Sequence, residues 1–123
     1  MRILIDTHIL LWALHAPEKL SEKQIRALEN SANQIFVSSI SIAELMIKCS
    51  IGRLQIDGDL LDFVQQLGFE YLDYNAQSAM GLKDLPFIHK DPFDRMLITQ
   101  ANYHHCILMS NDEVIQRYDC KVF

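Results

Sequence analysis

Short apolar runs alternate with amphipathic stretches along the chain. Apolar or β-forming residues predict strands over 2–5, 35–37, 69–72 and 106–109, with a terminal strand at 120–123. The stretches between them have helical periodicity or helix start and stop signals. Strands that alternate with helices favour a parallel sheet covered on both faces. We therefore expect an α/β fold, a three-layer α/β/α sandwich with a parallel sheet of about five strands.

The predicted helices cover residues 9–14, 21–30, 41–51, 60–67, 75–82, 93–103 and 112–117. Thr7 is a suitable N-cap for the first of them. Ser41, with Glu44 three residues later, has the form of a capping box that opens the third. We expect the apolar face of that third helix to include Ala43, Ile47 and Ile51.

Composition and charge narrow the class of protein. The 123 residues suit a single domain over 1–123 with one core. Half of the residues are hydrophobic, yet no apolar run is long enough to cross a bilayer and no signal-peptide pattern is present. We therefore expect a cytoplasmic protein without a membrane segment. The formal net charge of −5 gives no global reason to bind nucleic acid.

Motifs of several other enzyme classes are missing from the chain. Its three cysteines lie far apart without CxxC spacing, so we expect buried thiols and neither a disulfide framework nor a zinc site. Its four glycines form no GxGxxG or Walker loop, and there is no GxSxG motif of a serine hydrolase. A phosphatase of the DxD type would need a second Asp where His8 stands. A response-regulator receiver would need paired acids after the first strand, where Asp6 stands alone.

Acidic residues stand at four junctions where helices are predicted to begin. They are Asp6, Glu44, Asp94 and Asp112. The carboxyl ends of parallel strands line one edge of a sheet, so carboxylates at such junctions can meet in space. Because like charges at short distance repel, such a cluster persists when it holds a proton or a cation. Oxygen ligands of this kind predict a Mg²⁺ or Mn²⁺ site.

Each of these acids also has a purely structural interpretation. Asp6 could belong to a turn, Glu44 could complete the capping box with Ser41, and Asp112 could favour a first helical turn. Because an acidic residue occurs at each of four such junctions, a common site is favoured over four separate caps.

Asp91 and Asp94 are alternative candidates for one metal ligand of the site. Asp91 before Pro92 has the form of an N-cap, which leaves Asp94 at the third helical position, free to project beyond the helix start. We therefore predict that Asp94 is the ligand and Asp91 the cap. Lys48 and Arg95, each one helical step from a predicted acid, could be salt-bridge partners or phosphate contacts.

The histidines have no spacing typical of metal ligands. His104 and His105 follow a predicted helix, where a cation is favoured, so we expect them to act as caps. His8, His15 and His89 are not predicted as ligands.

Four segments together resemble the PIN domain, specifically the toxin ribonucleases of VapC type. They are Asp6-Thr7, Ser41-Ile-Ala-Glu44, Asp91-Pro92-Phe93-Asp94-Arg95 with its following Gln100-Ala101, and Ser110-Asn111-Asp112. The third is the most specific, and the last departs mildly from the Thr-x-Asp usual in the family. The resemblance covers essentially the whole chain. It implies a five-stranded parallel sheet flanked by helices.

The resemblance also implies site residues, a cofactor and partners. The family's four acids match Asp6, Glu44, Asp94 and Asp112, and its accompanying hydroxyl residues match Thr7 and Ser110. We include Ser41, Asp91 and Arg95 as supporting residues. Membership would imply a Mg²⁺ or Mn²⁺ site, cleavage of RNA, homodimerisation, and inhibition by a small antitoxin encoded beside the toxin.

The sequence therefore predicts a metal-dependent endoribonuclease that acts as the toxin of a toxin–antitoxin pair. Because a domain of this size cannot bury all its hydrophobic residues, we expect apolar surface to be covered by a second copy of the chain and by an antitoxin helix. The alternative is a catalytically silent PIN-like module that binds protein or RNA.

Overall fold

Four short strands form one parallel sheet at the centre of the protein. In the computed structural model, which describes all 123 residues, the strands are β1 (Arg2–Ile5), β2 (Gln34–Ser38), β3 (Glu70–Leu72) and β4 (Ile107–Met109). Their order across the sheet is β3-β2-β1-β4, and each neighbouring pair is parallel. The carboxyl ends of all four strands therefore lie along one edge, where β1 is flanked by β2 and β4.

Six α-helices connect and cover the strands. They are α1 (Thr7–His15), α2 (Glu22–Glu29), α3 (Ser39–Ser50), α4 (Leu60–Gln66), α5 (Ala76–Met80) and α6 (Pro92–Tyr103). Single 3-10 turns lie at Pro17–Lys19, Gly81–Lys83 and Ile115–Arg117. None of the helices is both long enough and apolar enough to span a bilayer.

The core lies in two layers on opposite faces of the sheet. Ile3 and Ile5 point to one face, where residues of α1, α2, α3 and α4 pack against them. Leu4, between them in β1, points to the other face and packs with residues of α6. The predicted α/β/α sandwich is therefore confirmed.

The predicted terminal strand is reduced to a single bridge between Leu108 and Val122. The Leu108 N–H donates to the Lys121 carbonyl at 2.8 Å, and the Phe123 N–H donates to the Leu108 carbonyl at 2.9 Å. Because β4 has only three residues, it offers the terminal segment little length to pair with. The expected number of about five strands is therefore corrected to four.

The helix predicted over 112–117 is also shorter than expected. Only the 3-10 turn Ile115–Arg117 forms there. The Asp112 carboxylate accepts a hydrogen bond from the Val114 backbone N–H at 2.8 Å, which closes a local turn before any α-helical turn begins.

The N-caps of α1 and α3 lie earlier in the chain than predicted. In α1 the Asp6 carboxylate accepts from the Ile9 backbone N–H at 2.8 Å, so Thr7 lies inside the helix. In α3 the Ser38 hydroxyl accepts from the Ile40 backbone N–H at 3.0 Å. The predicted capping box does not form, since its serine already lies in the first turn of α3.

The face of α3 that turns inward differs from the predicted one. Ser41, Glu44 and Leu45 are buried, whereas Ile47 and Ile51 are 49% and 59% exposed. Spacing shows which residues share a helical face, but polar contacts made elsewhere decide which face is covered. An apolar stripe is thereby left on the surface of α3.

Candidate metal centre

The four predicted acids lie in one region at the carboxyl edge of the sheet. Asp6 directly follows β1, and Asp112 comes three residues after β4. Glu44 lies in α3, the helix that begins where β2 ends, and Asp94 lies in the first turn of α6. The negative charges of Asp6 and Glu44 act on Asp94, and that of Asp112 acts on Asp6. The structure therefore brings the four together, although their direct contacts differ.

Asp6 is a buried carboxylate that forms no salt bridge. Burial raises its pKa above the usual value, although hydrogen bonds from Ser110 and the Ile9 backbone, and the charge of His8, act in the opposite direction. The Ser110 hydroxyl also accepts from the Asp112 backbone N–H at 3.0 Å, so it links the first and last acids. A buried acid of this kind favours a bound proton or cation.

The shortest contacts in the site join Asp94 and Asp112 through His89. The His89 Nε2 atom lies 2.8 Å from Asp112 Oδ2 and 3.1 Å from Asp94 Oδ2. One candidate ligand atom from each of the three side chains lies within 4.8 Å of the other two. His89 was not predicted as a site residue. Its position two residues before the cap of α6 is the one signal in the sequence that could have located it.

Asp94 carries the largest electrostatic perturbation in the site. Burial, followed by the negative charges of Asp91 and Asp6, raises its pKa to about 7, although the neighbouring His89 ring acts in the opposite direction. Its side chain is 14% exposed, and its Oδ1 atom accepts no hydrogen bond from the chain. Asp94 therefore has an oxygen atom available to a ligand, and its burial among negative charges favours a bound proton or cation.

The pKa of Asp112 is shifted in the opposite direction. Burial alone would raise its pKa, but hydrogen bonds from the His89 ring and from the Val114 backbone N–H outweigh that effect and hold the pKa below its usual value. Asp112 is thus ionised when Asp94 still holds its proton.

Glu44 lies in a separate set of contacts beside the other acids. Its Oε1 atom accepts from the Thr7 hydroxyl at 2.8 Å, and its Oε2 atom pairs with Lys48 Nζ at 3.0 Å. The Thr7 hydroxyl also lies 2.9 Å from the Ser41 hydroxyl, so Ser41 supports the same contact. These contacts join α1 to α3 and leave the charge of Glu44 paired.

Asp91 and Arg95 hold the start of α6. The Asp91 carboxylate accepts from the Phe93 backbone N–H at 2.9 Å and caps the helix, with Pro92 at its first position. The Arg95 guanidinium donates to the carbonyls of Leu85 and Pro86 at 3.3 and 2.8 Å. Arg95 therefore binds the preceding loop and is not directed toward a phosphate.

The donor set fits a divalent cation. Asp6 and Asp94 are acids with raised pKa values, and neither contacts a lysine or arginine. Carboxylate oxygens are the ligands that Mg²⁺ and Mn²⁺ prefer, and a cation among them would offset their repulsion. A group of buried and partly buried acids on one sheet edge is more easily explained by such an ion than by separate structural roles.

The parallel α/β/α sandwich and the acids at its carboxyl edge define a class of small α/β domain with an acidic centre. The model of the PIN domain family matches this chain over residues 3–121, nearly its whole length. The chain belongs to the PIN domain family.

Individual relatives agree with this assignment. The chain is similar to ribonuclease VapC22 of Mycobacterium tuberculosis, with 27% identity over 119 residues that cover 94% of this chain and 91% of that protein. Among solved structures it is similar to VapBC2 from Rickettsia felis bound to a promoter DNA fragment, with a TM-score of 0.76, 18% identity and coverage of 99% and 96%. It is also similar to DNA-bound VapBC from Salmonella typhimurium, with a TM-score of 0.69, 19% identity and the same coverage. These structural similarities concern the fold.

Proposed function

We propose that this protein is a Mg²⁺- or Mn²⁺-dependent endoribonuclease that acts in the cytoplasm as the toxin of a toxin–antitoxin pair. The observation that carries the proposal is the group of acids at the carboxyl edge of the sheet, in which Asp6 and Asp94 have raised pKa values and no lysine or arginine partner. The similarity to a ribonuclease of VapC type supports the choice of RNA as substrate.

Asp6, Asp94 and Asp112 would hold the cation, with Glu44 beside them. A divalent ion bound there would supply Lewis-acid chemistry for the hydrolysis of a phosphodiester. The Asp94 carboxyl group would bind the ion after losing its proton, through the Oδ1 atom that accepts no hydrogen bond from the chain. The Ile9 backbone N–H holds the Asp6 carboxylate by a hydrogen bond, and Thr7 with Lys48 fixes Glu44.

Side-chain nucleophiles are not needed and have no support in the site. Burial raises the pKa of the Cys106 thiol and, with the charge of Asp119, that of Cys120 to about 11. A thiol in that state is a poor nucleophile. The hydroxyls of Thr7 and Ser110 are hydrogen-bonded to neighbouring side-chain or backbone groups.

A basic groove beside the acids supports a polynucleotide substrate. The groove is lined by Glu44, Ile47, Lys48, Ile51, Arg53, Lys90, Asp91, Pro92 and Phe93. Glu44 in this lining pairs with Lys48, whereas Arg53 and Lys90 form no salt bridge. They can bind phosphates on either side of the one that is cleaved, while Phe93 offers a surface for a base.

An antitoxin and a second copy of the chain are proposed partners. The similar solved structures contain VapB with VapC, which supports an antitoxin for this chain. The exposed Ile47 of α3 and Ile51 just after it line the groove beside Glu44, so an amphipathic helix seated there would cover Glu44 and the approach to the other acids. Inhibition would then follow from occlusion of the site.

Cleavage of RNA with defined metals tests the proposal. Purified protein should cut RNA with Mg²⁺ or Mn²⁺, stop with EDTA, and lose cleavage in Asp6→Asn. An otherwise silent binding module would keep its partner in Asp6→Asn and cut nothing in either form. Cleavage that persists in EDTA, or none across a broad RNA panel, would contradict the enzyme proposal.

A further inference from the structure

His89 lies between two proposed ligands, and both of its ring nitrogens have partners within the chain. Its Nε2 atom hydrogen-bonds Asp112 Oδ2 at 2.8 Å and lies 3.1 Å from Asp94 Oδ2. Its Nδ1 atom faces the opposite way and accepts from the Asp91 backbone N–H at 3.1 Å. The ring is 14% exposed, so both nitrogens have partners within the protein.

The contact with Asp91 decides which ring nitrogen carries the proton. A backbone N–H can only donate, so Nδ1 must present its lone pair to it. A neutral imidazole has one N–H, which is then on Nε2. The Nε2 lone pair is not available, and this nitrogen cannot bind a cation without loss of the bond to the Asp91 backbone.

The loop that carries His89 is held in place from two sides. The Tyr118 hydroxyl accepts from the His89 backbone N–H at 2.7 Å and from that of Ile88 at 2.9 Å. Arg95 donates to the carbonyl of Pro86 in the same loop at 2.8 Å. The imidazole is therefore supported by α6 and by the segment after β4, which also carry the two acids it contacts.

We propose that His89 is a positioning residue of the metal centre, a fixed Nε2–H donor to the acids, and not one of its ligands. The inference rests on the proposed function. The Nε2–H group holds Asp112 Oδ2 and faces Asp94 Oδ2, which keeps the two carboxylates close in spite of their repulsion. Asp94 Oδ1, which accepts no hydrogen bond from the chain, remains available to a cation. Hydrogen bonds of this kind to ligands support metal affinity in other sites.

The first test asks whether imidazole nitrogen binds the metal. Mn²⁺ is added to the purified wild-type protein, and electron spin echo envelope modulation is recorded. We expect bound Mn²⁺ without the strong nitrogen coupling of a coordinated imidazole. If that coupling is present and is lost in His89→Gln, His89 is a ligand and the inference is overturned, while the proposed nuclease function stands. If wild-type protein binds no Mn²⁺ at all, the proposed function fails and the inference with it.

The second test asks whether a donor at the same place is sufficient. A Gln side chain can place an amide N–H near the position of Nε2, so His89→Gln should keep Mn²⁺ affinity within about threefold, whereas His89→Ala should lose about tenfold to a hundredfold. His15→Ala, at the exposed end of α1, is the matched control and should bind as wild type. Thermal unfolding confirms that each variant is folded. Equal affinity of wild type and His89→Ala, or a His89→Gln as weak as His89→Ala, would overturn the donor role.

Discussion

Asp91 and Asp94 are three residues apart at the start of α6 and have different surroundings. Asp91 uses a carboxylate oxygen to accept from the Phe93 backbone N–H, which caps the helix. Asp94 faces His89 and the other acids, and its pKa is raised by burial and by its negative neighbours. The division of roles predicted from the helix-start pattern is consistent with these contacts and remains to be tested by substitution.

Substitution to Asn should separate these two roles. Asn caps a helix nearly as well as Asp, so Asp91→Asn should keep stability and most cleavage, whereas Asp91→Ala should lower the free energy of unfolding by about 1 kcal/mol. Asp94→Asn should keep the fold but lose Mn²⁺ binding and cleavage. Urea unfolding, Mn²⁺ titration and RNA cleavage measure these effects.

Asp59 provides a matched control for the cap. It caps α4 by accepting from the backbone N–H groups of Leu61 and Asp62. Asp59→Ala should cost a similar free energy of unfolding and leave cleavage intact. An inactive Asp91→Asn beside an active Asp94→Asn would show that the two roles are reversed.

The raised pKa of Asp94 predicts a pH dependence of stability in EDTA. Folding raises this pKa from 3.8 to about 7, so between these values the folded state holds a proton that the unfolded state has released. The free energy of unfolding must then fall as pH rises through this window. Asp94→Asn removes the titrating group, so the wild type should lose stability relative to this variant from about pH 4 to about pH 7 and change little above. Urea unfolding at a series of pH values measures the difference, and a pH-independent difference would contradict the assignment.

At the scale of elements, the end of α3 and the start of α6 form the two walls of the basic groove. Arg53 follows α3, and Lys90 precedes α6. Neither forms a salt bridge within the chain. Lys48, in contrast, is paired with Glu44. The two unpaired cations are therefore the better candidates for contact with a nucleic-acid backbone.

Removal of either cation should weaken RNA binding without change at the metal. Arg53→Ala and Lys90→Ala should each raise KM, leave Mn²⁺ affinity unchanged, and reduce the slope of log affinity against log salt by about 1. Lys121→Ala is the control, because Lys121 lies near Met1 and Arg2 at the other edge of the sheet. RNA binding measured across a salt series would contradict the groove assignment if all three variants behaved alike.

The sequence predicted these elements more reliably than their contacts. Continuous apolar runs located all four strands, and the Asp91-Pro92 signal located the start of α6, because burial and capping are local properties. The capping box at Glu44 was wrong because its carboxylate binds Thr7 and Lys48. His89 was missed because its position depends on contacts with Tyr118, far along the chain. A local sequence pattern does not identify partners that are distant along the chain.

At the scale of the whole molecule, several large hydrophobic side chains remain exposed. They are Met46 and Ile47 of α3 and Ile51 just after it, together with Leu61, Leu67, Met80, Phe87 and Tyr103. Apolar surface of this kind is often covered by a partner. We predict a homodimer, which light scattering at micromolar concentration should detect. A monomer under those conditions would contradict this prediction, although it would leave the metal centre untouched.

The acids come from distant parts of the chain, and this has a consequence during synthesis. Asp6 follows β1 and is made well before Asp112, which follows β4. Contacts between distant parts of a chain form late in folding, because they close large loops. A nascent or truncated chain that stops before β4 lacks both Asp112 and the strand that flanks β1 on one side. Such a chain should therefore lack the complete acidic group, so the proposed cleavage of RNA would require the synthesis of β4 and of Asp112.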